Sequence, residues 1–310
     1  MMRSTLFWLS QRQGIFNFVR SNGLAKKFAS RFVAGETVDT AVGAVRELNV
    51  KGITASLDLL GESVTRASEA GQARDEYLAM LDRIATSKVE ANVSVKLTQM
   101  GLDISPDVCR DNMRKILDRA RSLGSFVRLD MEGSAYTDRT LAFFTDQLHA
   151  DYAAHCGVVI QAMLRRSPID IDRMIALKAR VRLCKGAYLE PAEIAFPAKK
   201  DVDRQYVELM ERLMLQGNYP GLATHDERII AHAKEFARAK GITPDRFEFQ
   251  MLYGVRRDLQ DRLRAEGWNL RVYIPFGTQW YPYLMRRLAE RPANIAFIFG
   301  NVIKESLPGR

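Results

Sequence analysis

Two adjacent arginines, Arg286 and Arg287, stand four and three residues before Glu290 in the stretch Tyr281-Pro-Tyr-Leu-Met-Arg-Arg-Leu-Ala-Glu290. Helical positions three and four apart are neighbours. Glu290 therefore falls beside both arginines, and Tyr283 lies one turn back on the same side. Guanidinium forks suit a carboxylate, and a carboxylate suits an ammonium. Such a face can hold a small zwitterion such as an amino acid. The same spacing also describes a solvated helix laced with ion pairs, so the rest of the chain must decide between the two.

More ionisable residues sit at the ends of short apolar runs. Lys96 ends Ser-Val-Lys-Leu, and Asp130 lies in Arg128-Leu-Asp-Met131-Glu132. Gln161 interrupts an apolar run, and Arg180-Val-Arg182-Leu-Cys leads into Lys185-Gly186-Ala187-Tyr188. At most one of Arg180 and Arg182 is expected to face a lumen. Thr224-His225-Asp226 ends another run, and Tyr273 precedes Pro275-Phe-Gly277. Unpaired charge within apolar strands costs several kcal/mol, so Lys96, Asp130 and Arg182 are expected to converge and compensate one another. Taken singly, Lys96 could snorkel to water and Asp130 could cap a turn. Jointly they mark a site. The cations around the fifth run would stabilise the negative charge of a reduced flavin. A cation-lined cofactor beside an amino-acid clamp points to oxidation of a C–N bond.

The elements that must position these residues alternate along the chain. Strand candidates cover Ile53–Leu59, Val93–Leu97, Phe126–Met131, Val158–Met163, Ala179–Cys184, Leu222–Thr224, Phe247–Leu252 and Leu270–Pro275. Between them, 3.6-residue periodicity predicts helices over Arg74–Ala85, Asp107–Leu123, Asp201–Gln216 and Glu227–Lys240. Ser105-Pro106-Asp107 is the start signal of the second helix. Eight such alternations predict a (β/α)8 TIM-type barrel with extra N-terminal helices. A doubly wound nucleotide fold is disfavoured, because no GxGxxG or GxxxxGK[ST] follows any strand. The expected division is a helical arm over residues 1–45 and a catalytic barrel over 46–310.

Composition narrows the class. The 310 residues are 47% hydrophobic and 27% charged, as in an ordinary globular protein. Three scattered cysteines and four histidines without metal-ligand spacing argue against disulfides and a metal site. The net charge is +9, and residues 1–35 hold six basic residues and no acid. With no basic stripe on the body, nucleic-acid binding is not expected. The arm is also aromatic and apolar, which suits a membrane surface or packing on the main domain. No secretory signal pattern is present.

The chain resembles the monofunctional bacterial proline dehydrogenases and the barrel of bifunctional proline-utilisation proteins. The matching stretches include Leu57-Asp-Leu-Leu-Gly-Glu62, Val93-Ser-Val-Lys96-Leu, Val127-Arg-Leu-Asp130-Met-Glu132 and Arg182-Leu-Cys-Lys185-Gly-Ala-Tyr188. Leu222-Ala-Thr-His225-Asp226, Phe247-Glu-Phe-Gln-Met-Leu252-Tyr-Gly, Arg271-Val-Tyr273-Ile-Pro-Phe-Gly277 and the stretch from Tyr283 to Asn294 complete them. Many members carry asparagine where Asp226 stands. The resemblance implies FAD in a distorted (β/α)8 barrel, oxidation of L-proline to Δ1-pyrroline-5-carboxylate by hydride transfer to flavin N5, and electron transfer to a membrane quinone. It implies that Arg286 and Arg287 clamp the proline carboxylate and that Glu290 partners the nitrogen. Lys96, held by Asp130, would be a further carboxylate contact, and Tyr188, Leu252 and Tyr273 would wall the ring. Asp130 and Arg182 would serve as catalytic residues, Arg182 near flavin N5. Met131, Gln161, Lys185, Gly186, Ala187, Thr224 and His225 would hold the cofactor. The implied location is cytoplasmic, with peripheral contact on the inner face of the cell membrane through the basic arm. Two other readings stay open: a barrel lyase or aldolase using Lys96 or Lys185 as a Schiff base, and a non-catalytic amino-acid-binding protein.

Overall fold

Eight parallel strands close into a barrel in chain order, with the eighth paired to the first. The structure is a computed structural model that describes residues 30–290 except Glu62, and only the backbone over 286–290. The expected arm therefore lies largely outside the described residues. The strands are β1 (Thr54–Leu59), β2 (Ala91–Val95), β3 (Val127–Leu129), β4 (Cys156–Gln161), β5 (Arg180–Cys184), β6 (Gly221–Ala223), β7 (Glu248–Leu252) and β8 (Leu270–Phe276). Helices α1 (Val38–Val50), α2 (Ala67–Ser87) and α3 (Pro106–Ser122) precede β1, β2 and β3 in turn. Next come α4 (Ser134–Phe143), a π-helical turn (Phe144–Leu148) and α5 (His149–Tyr152). The ring is completed by α6 (Ser167–Ala176), α7 (Lys199–Gln216), α8 (Glu227–Lys240), α9 (Arg257–Ala265) and α10 (Trp280–Glu290).

The helices form where the sequence signals them. Ser105 accepts a hydrogen bond from the Asp107 amide and Pro106 opens α3, as its cap and fixed φ favour. Helix α8 ends on Gly241 in the left-handed conformation, which a glycine adopts without a Cβ clash. Helix α1 runs across residue 45, and its Ala41, Ala44 and Val45 join the barrel core. The expected division between arm and barrel thus falls inside a helix packed on the barrel.

Three strands depart from expectation by two residues at an end. Strand β2 stops at Val95 because the chain turns at Lys96, whose carbonyl accepts from the Gln99 amide at 3.1 Å. Strand β3 stops at Leu129, so Asp130, Met131 and Glu132 lie in the loop above it. Strand β4 starts two residues earlier than expected and stops at Gln161.

Side-chain parity divides the sheet into two environments. Residues such as Leu57, Val93, Val95, Leu129, Val158, Leu183, Phe249 and Val272 are buried apolar groups of the core. The alternate positions carry Ser56 and Asp58, Ser94 and Lys96, Arg128 and Asp130, Arg180 and Arg182, Glu248 and Gln250, and Arg271 and Tyr273. Hydrogen bonds join these residues both between neighbouring strands and across the barrel. A (β/α)8 lumen is more often filled by branched aliphatic side chains, so this one is polar by comparison. Arg180 and Arg182 share this parity, so the expectation that only one faces the lumen is corrected: residues two apart on a strand point the same way. Arg182 sits higher in the barrel. Arg180 lies lower, with its guanidinium 4.5 Å from the Phe126 ring and 4.8 Å from the Tyr219 ring.

Large polar side chains need room, and Gly157 provides it. A Cβ there would strike the Arg180 carbonyl and the Arg128 guanidinium. Gly157→Ala should lower stability by about 1–3 kcal/mol through overpacking. Gly43→Ala, in α1 with open space around it, should raise stability by up to about 1 kcal/mol. Equilibrium urea unfolding of the two variants checks the opposite signs.

Candidate active site

The C-terminal ends of the strands bring Lys96, Asp130, Arg182 and Tyr273 together around two ion pairs. Nζ of Lys96 lies 2.7 Å from Oδ1 of Asp58, and Lys96 and Asp58 are 8% and 1% exposed. Nη1 of Arg182 donates to Oδ1 of Asp130 at 2.7 Å, and the Tyr273 hydroxyl donates to the other Asp130 oxygen at 2.7 Å. The expectation that Asp130 holds Lys96 is therefore corrected. The direct contact belongs to Asp58, because Asp130 already has Arg182 on one oxygen and Tyr273 on the other.

Electrostatics keep the groups in defined states. Burial alone would lower the Lys96 ammonium, but Asp58 and then Asp130 outweigh it and the net shift is upward. Burial pushes the Asp58 carboxyl up, against the pull of Lys96. The Tyr273 phenol is raised well above its ordinary value by burial and by the charges of Asp130 and Asp58. It therefore remains an O–H donor to Asp130. The Arg182 guanidinium also lies 5.1 Å from the Tyr273 ring, within cation–π range.

Below this layer Arg182 is held from three further strands. Its Nε donates to Gln250 at 2.5 Å, and its Nη2 reaches Ser94 at 3.2 Å and Ser56 at 3.4 Å. Glu248 and the half-buried Arg271 form a third ion pair at 2.7 Å. Burial lowers the Arg128 guanidinium well below its ordinary value, and the neighbouring Arg182 and Arg180 add repulsion. Its Nη1 is satisfied by the carbonyls of Val158 and Arg180.

On the other side of the mouth, Gln161 donates to the carbonyls of Met131 at 3.4 Å and Glu132 at 3.2 Å. Its own Oε1 is buried and has no hydrogen-bond partner among the described residues. Gly186 has φ +107°, and a Cβ there would collide with Met163. Lys185 lies 2.5 Å from Asp203 and 2.9 Å from Asp226. His225 accepts the Leu252 amide on Nε2 at 2.9 Å, which makes Nδ1 the protonated nitrogen of the neutral ring. Thr224 is buried, and its hydroxyl accepts from the Asp226 amide at 3.1 Å. Leu252 and Tyr273 are register partners on β7 and β8. Tyr188 and Ala187 follow β5 in the same loop as Lys185. The side chains of Arg286, Arg287 and Glu290 lie outside the described residues. The backbone there is helical, at the end of α10.

Sequence reading passed over Asp58, Gln250, Asp203 and the Glu248–Arg271 pair. The first two and the pair had a signal: polar residues two apart on six strands. Asp203, on α7, had no such pattern to announce it. Asp226, whose role the sequence left open, caps α8 by accepting the Arg228 amide and also anchors Lys185.

A barrel with fixed charges converging at its C-terminal mouth is an enzyme of the (β/α)8 class. A family model described as proline dehydrogenase matches residues 41–299. Proline dehydrogenase 1 of Bacillus subtilis (strain 168) is 40% identical over 305 residues, covering 98% of this chain and 100% of the relative. A proline dehydrogenase of Deinococcus radiodurans is 42% identical over 279 residues, covering 89% and 90%. Among solved structures, proline utilization A of Bdellovibrio bacteriovorus, inactivated by N-propargylglycine, superposes with a TM-score of 0.81 at 26% identity. That match covers 91% of this chain and 34% of the other, so this chain spans about a third of it. The chain belongs to the proline dehydrogenase family.

Two predictions follow from the ion pairs. Asp58→Asn should cost about 3–5 kcal/mol in urea unfolding, because a buried ammonium loses its counter-charge. The double variant with Lys96→Met should lose less than the single one. Asp226 is an acid-sensitive group. Although burial opposes its ionisation, Lys185 and Lys199 hold its carboxyl down to about 2 from an ordinary 3.8. Its contribution is complete above the unfolded value and fades as pH falls towards 2. The stability gap between the wild type and Asp226→Asn should therefore shrink between pH 4 and pH 2 in acid titrations of unfolding.

Proposed function

We propose that the chain oxidises L-proline to Δ1-pyrroline-5-carboxylate with FAD bound at the C-terminal mouth of the barrel. The family match over residues 41–299 supports the substrate. The observation that carries the site is the fixed pair of cations, Lys96 and Arg182, beside Tyr273 on the same face.

The residues present suit a flavin. The unpartnered buried Oε1 of Gln161 is an acceptor for a ring N–H. The backbone at Gly186 approaches closely because no Cβ is in the way. A guanidinium has five N–H donors, and Arg182 spends four on Gln250, Asp130, Ser56 and Ser94. One remains. Met131, Gln161, Arg182, Lys185, Gly186, Ala187, Thr224 and His225 would hold the cofactor. FAD, when bound, supplies the acceptor for the hydride that leaves the proline ring.

The chain's own residues bind and orient the substrate. Arg286 and Arg287 would take the carboxylate as bidentate forks, with Glu290 facing the ring nitrogen. Lys96 adds a charge that does not swing, since Asp58 holds it. Tyr273, Leu252 and Tyr188 would wall the ring, and the Tyr273 hydroxyl is oriented by Asp130. A Schiff-base lyase would need a neutral lysine. The upward shift of Lys96 opposes that reading. Electrons would pass to a membrane quinone. No helix among the described residues is long and apolar enough to cross a membrane. The six basic residues of the N-terminal arm support peripheral contact of a cytoplasmic protein with an anionic membrane surface.

The purified protein should be yellow, absorbing near about 450 nm as flavins do, and should bleach on anaerobic addition of proline. Protein that shows no flavin band even after FAD is supplied overturns the reading. In the bleaching-competent protein, Arg286→Lys and Arg287→Lys should each lose most of kcat/KM for proline, because a point charge replaces a fork. Near-native kinetics in both would remove the clamp.

A further inference from the structure

One uncharged lumen residue bridges two ion pairs. Gln250, on β7, is 4% exposed and lies between two ionised groups. Its Oε1 accepts from Nε of Arg182 at 2.5 Å, and its Nε2 donates to Oε1 of Glu248 at 2.6 Å. Nε of Arg271 donates to that same Glu248 oxygen at 2.7 Å. The amide therefore has one orientation. A guanidinium only donates and a carboxylate only accepts, so a flip would set donor against donor and acceptor against acceptor. Burial opposes ionisation of Glu248, yet Arg271 and the hydrogen bonds it receives hold its carboxyl below the ordinary value.

The neutrality of Gln250 has a consequence. A carboxylate at this position would offset Arg182 a second time, after Asp130. An amide orients the guanidinium without discharging it. The packing keeps room for this side chain: on neighbouring β6, a Cβ at Gly221 would strike the Gln250 amide.

We propose that Gln250 is a positioning residue for the oxidation, anchoring the Arg182 guanidinium to the Glu248–Arg271 pair while leaving its positive charge available to the reduced cofactor. The inference rests on the flavin reading above. It assigns to a residue bonded to Arg182 part of the control of cofactor potential.

Gln250→Leu removes the bridge. Gln250→Asn keeps the amide but shortens it by one methylene, which guards against a variant that fails to fold. Flavin midpoint potential, melting temperature with and without FAD, and kcat and KM for proline are compared with the wild type. The expected result is a potential more negative by at least a tenfold change in the oxidised-to-reduced equilibrium, about 30 mV for a two-electron couple. With it, kcat falls at least tenfold while KM stays within twofold. Variants that melt lower but keep the wild-type potential and kcat overturn the inference and leave the flavin reading standing. A wild-type protein that binds no flavin overturns the reading itself.

Discussion

Charge buried inside the barrel is the constraint on which the rest depends. The lumen and its rim hold Lys96, Arg128, Arg180, Arg182 and Arg271 against Asp58, Asp130 and Glu248. Ionised groups out of water cost several kcal/mol each unless paired and hydrogen-bonded. Asp58 pairs with Lys96, and the other two carboxylates each take more than one partner. Asp130 holds Arg182 and Tyr273, and Glu248 holds Arg271 and Gln250. Such an arrangement tolerates little displacement, because moving one member strands the others.

The same constraint organises the backbone. Arg182 alone links β5 to β3, β7, β1 and β2 through its hydrogen bonds. Lys96 and Asp58 tie the tops of β2 and β1. Gly157 and Gly221 leave out side chains where the arginine and glutamine groups must pass. The strands are short, three residues in β3 and β6, so cross-barrel pairing supplements the ladder that holds them in register. A lumen braced in this way presents Lys96, Tyr273 and Arg182 in fixed positions, as the proposed zwitterion site would require.

Much of this was legible beforehand. The eight strands and three of the four periodic helices fall close to where alternation and caps placed them, α8 matches at both ends, and α2 begins seven residues before the expected Arg74. The charged strand ends marked the mouth because ionised residues rarely sit in apolar runs without partners. What could not be read was the pairing. Lys96 and Asp130 look equivalent on neighbouring strands, and no local rule says that Asp58, nearly forty residues before Lys96, is the nearer partner. Gln250 is harder still: an amide in an apolar strand gives no hint of its partners until both neighbours are in place.

By itself, the sequence determined the kind of fold and the set of groups available, since period, caps and residue type act over a few neighbours along the chain. It also carried the family likeness, spread over nearly its whole length. The tertiary structure decided which cation meets which carboxylate, that Arg180 and Arg182 share one face, and that a neutral glutamine separates Glu248 from Arg182. Those outcomes depend on barrel closure and on the register between strands distant in sequence, where a shift of one residue would turn every lumen side chain outward.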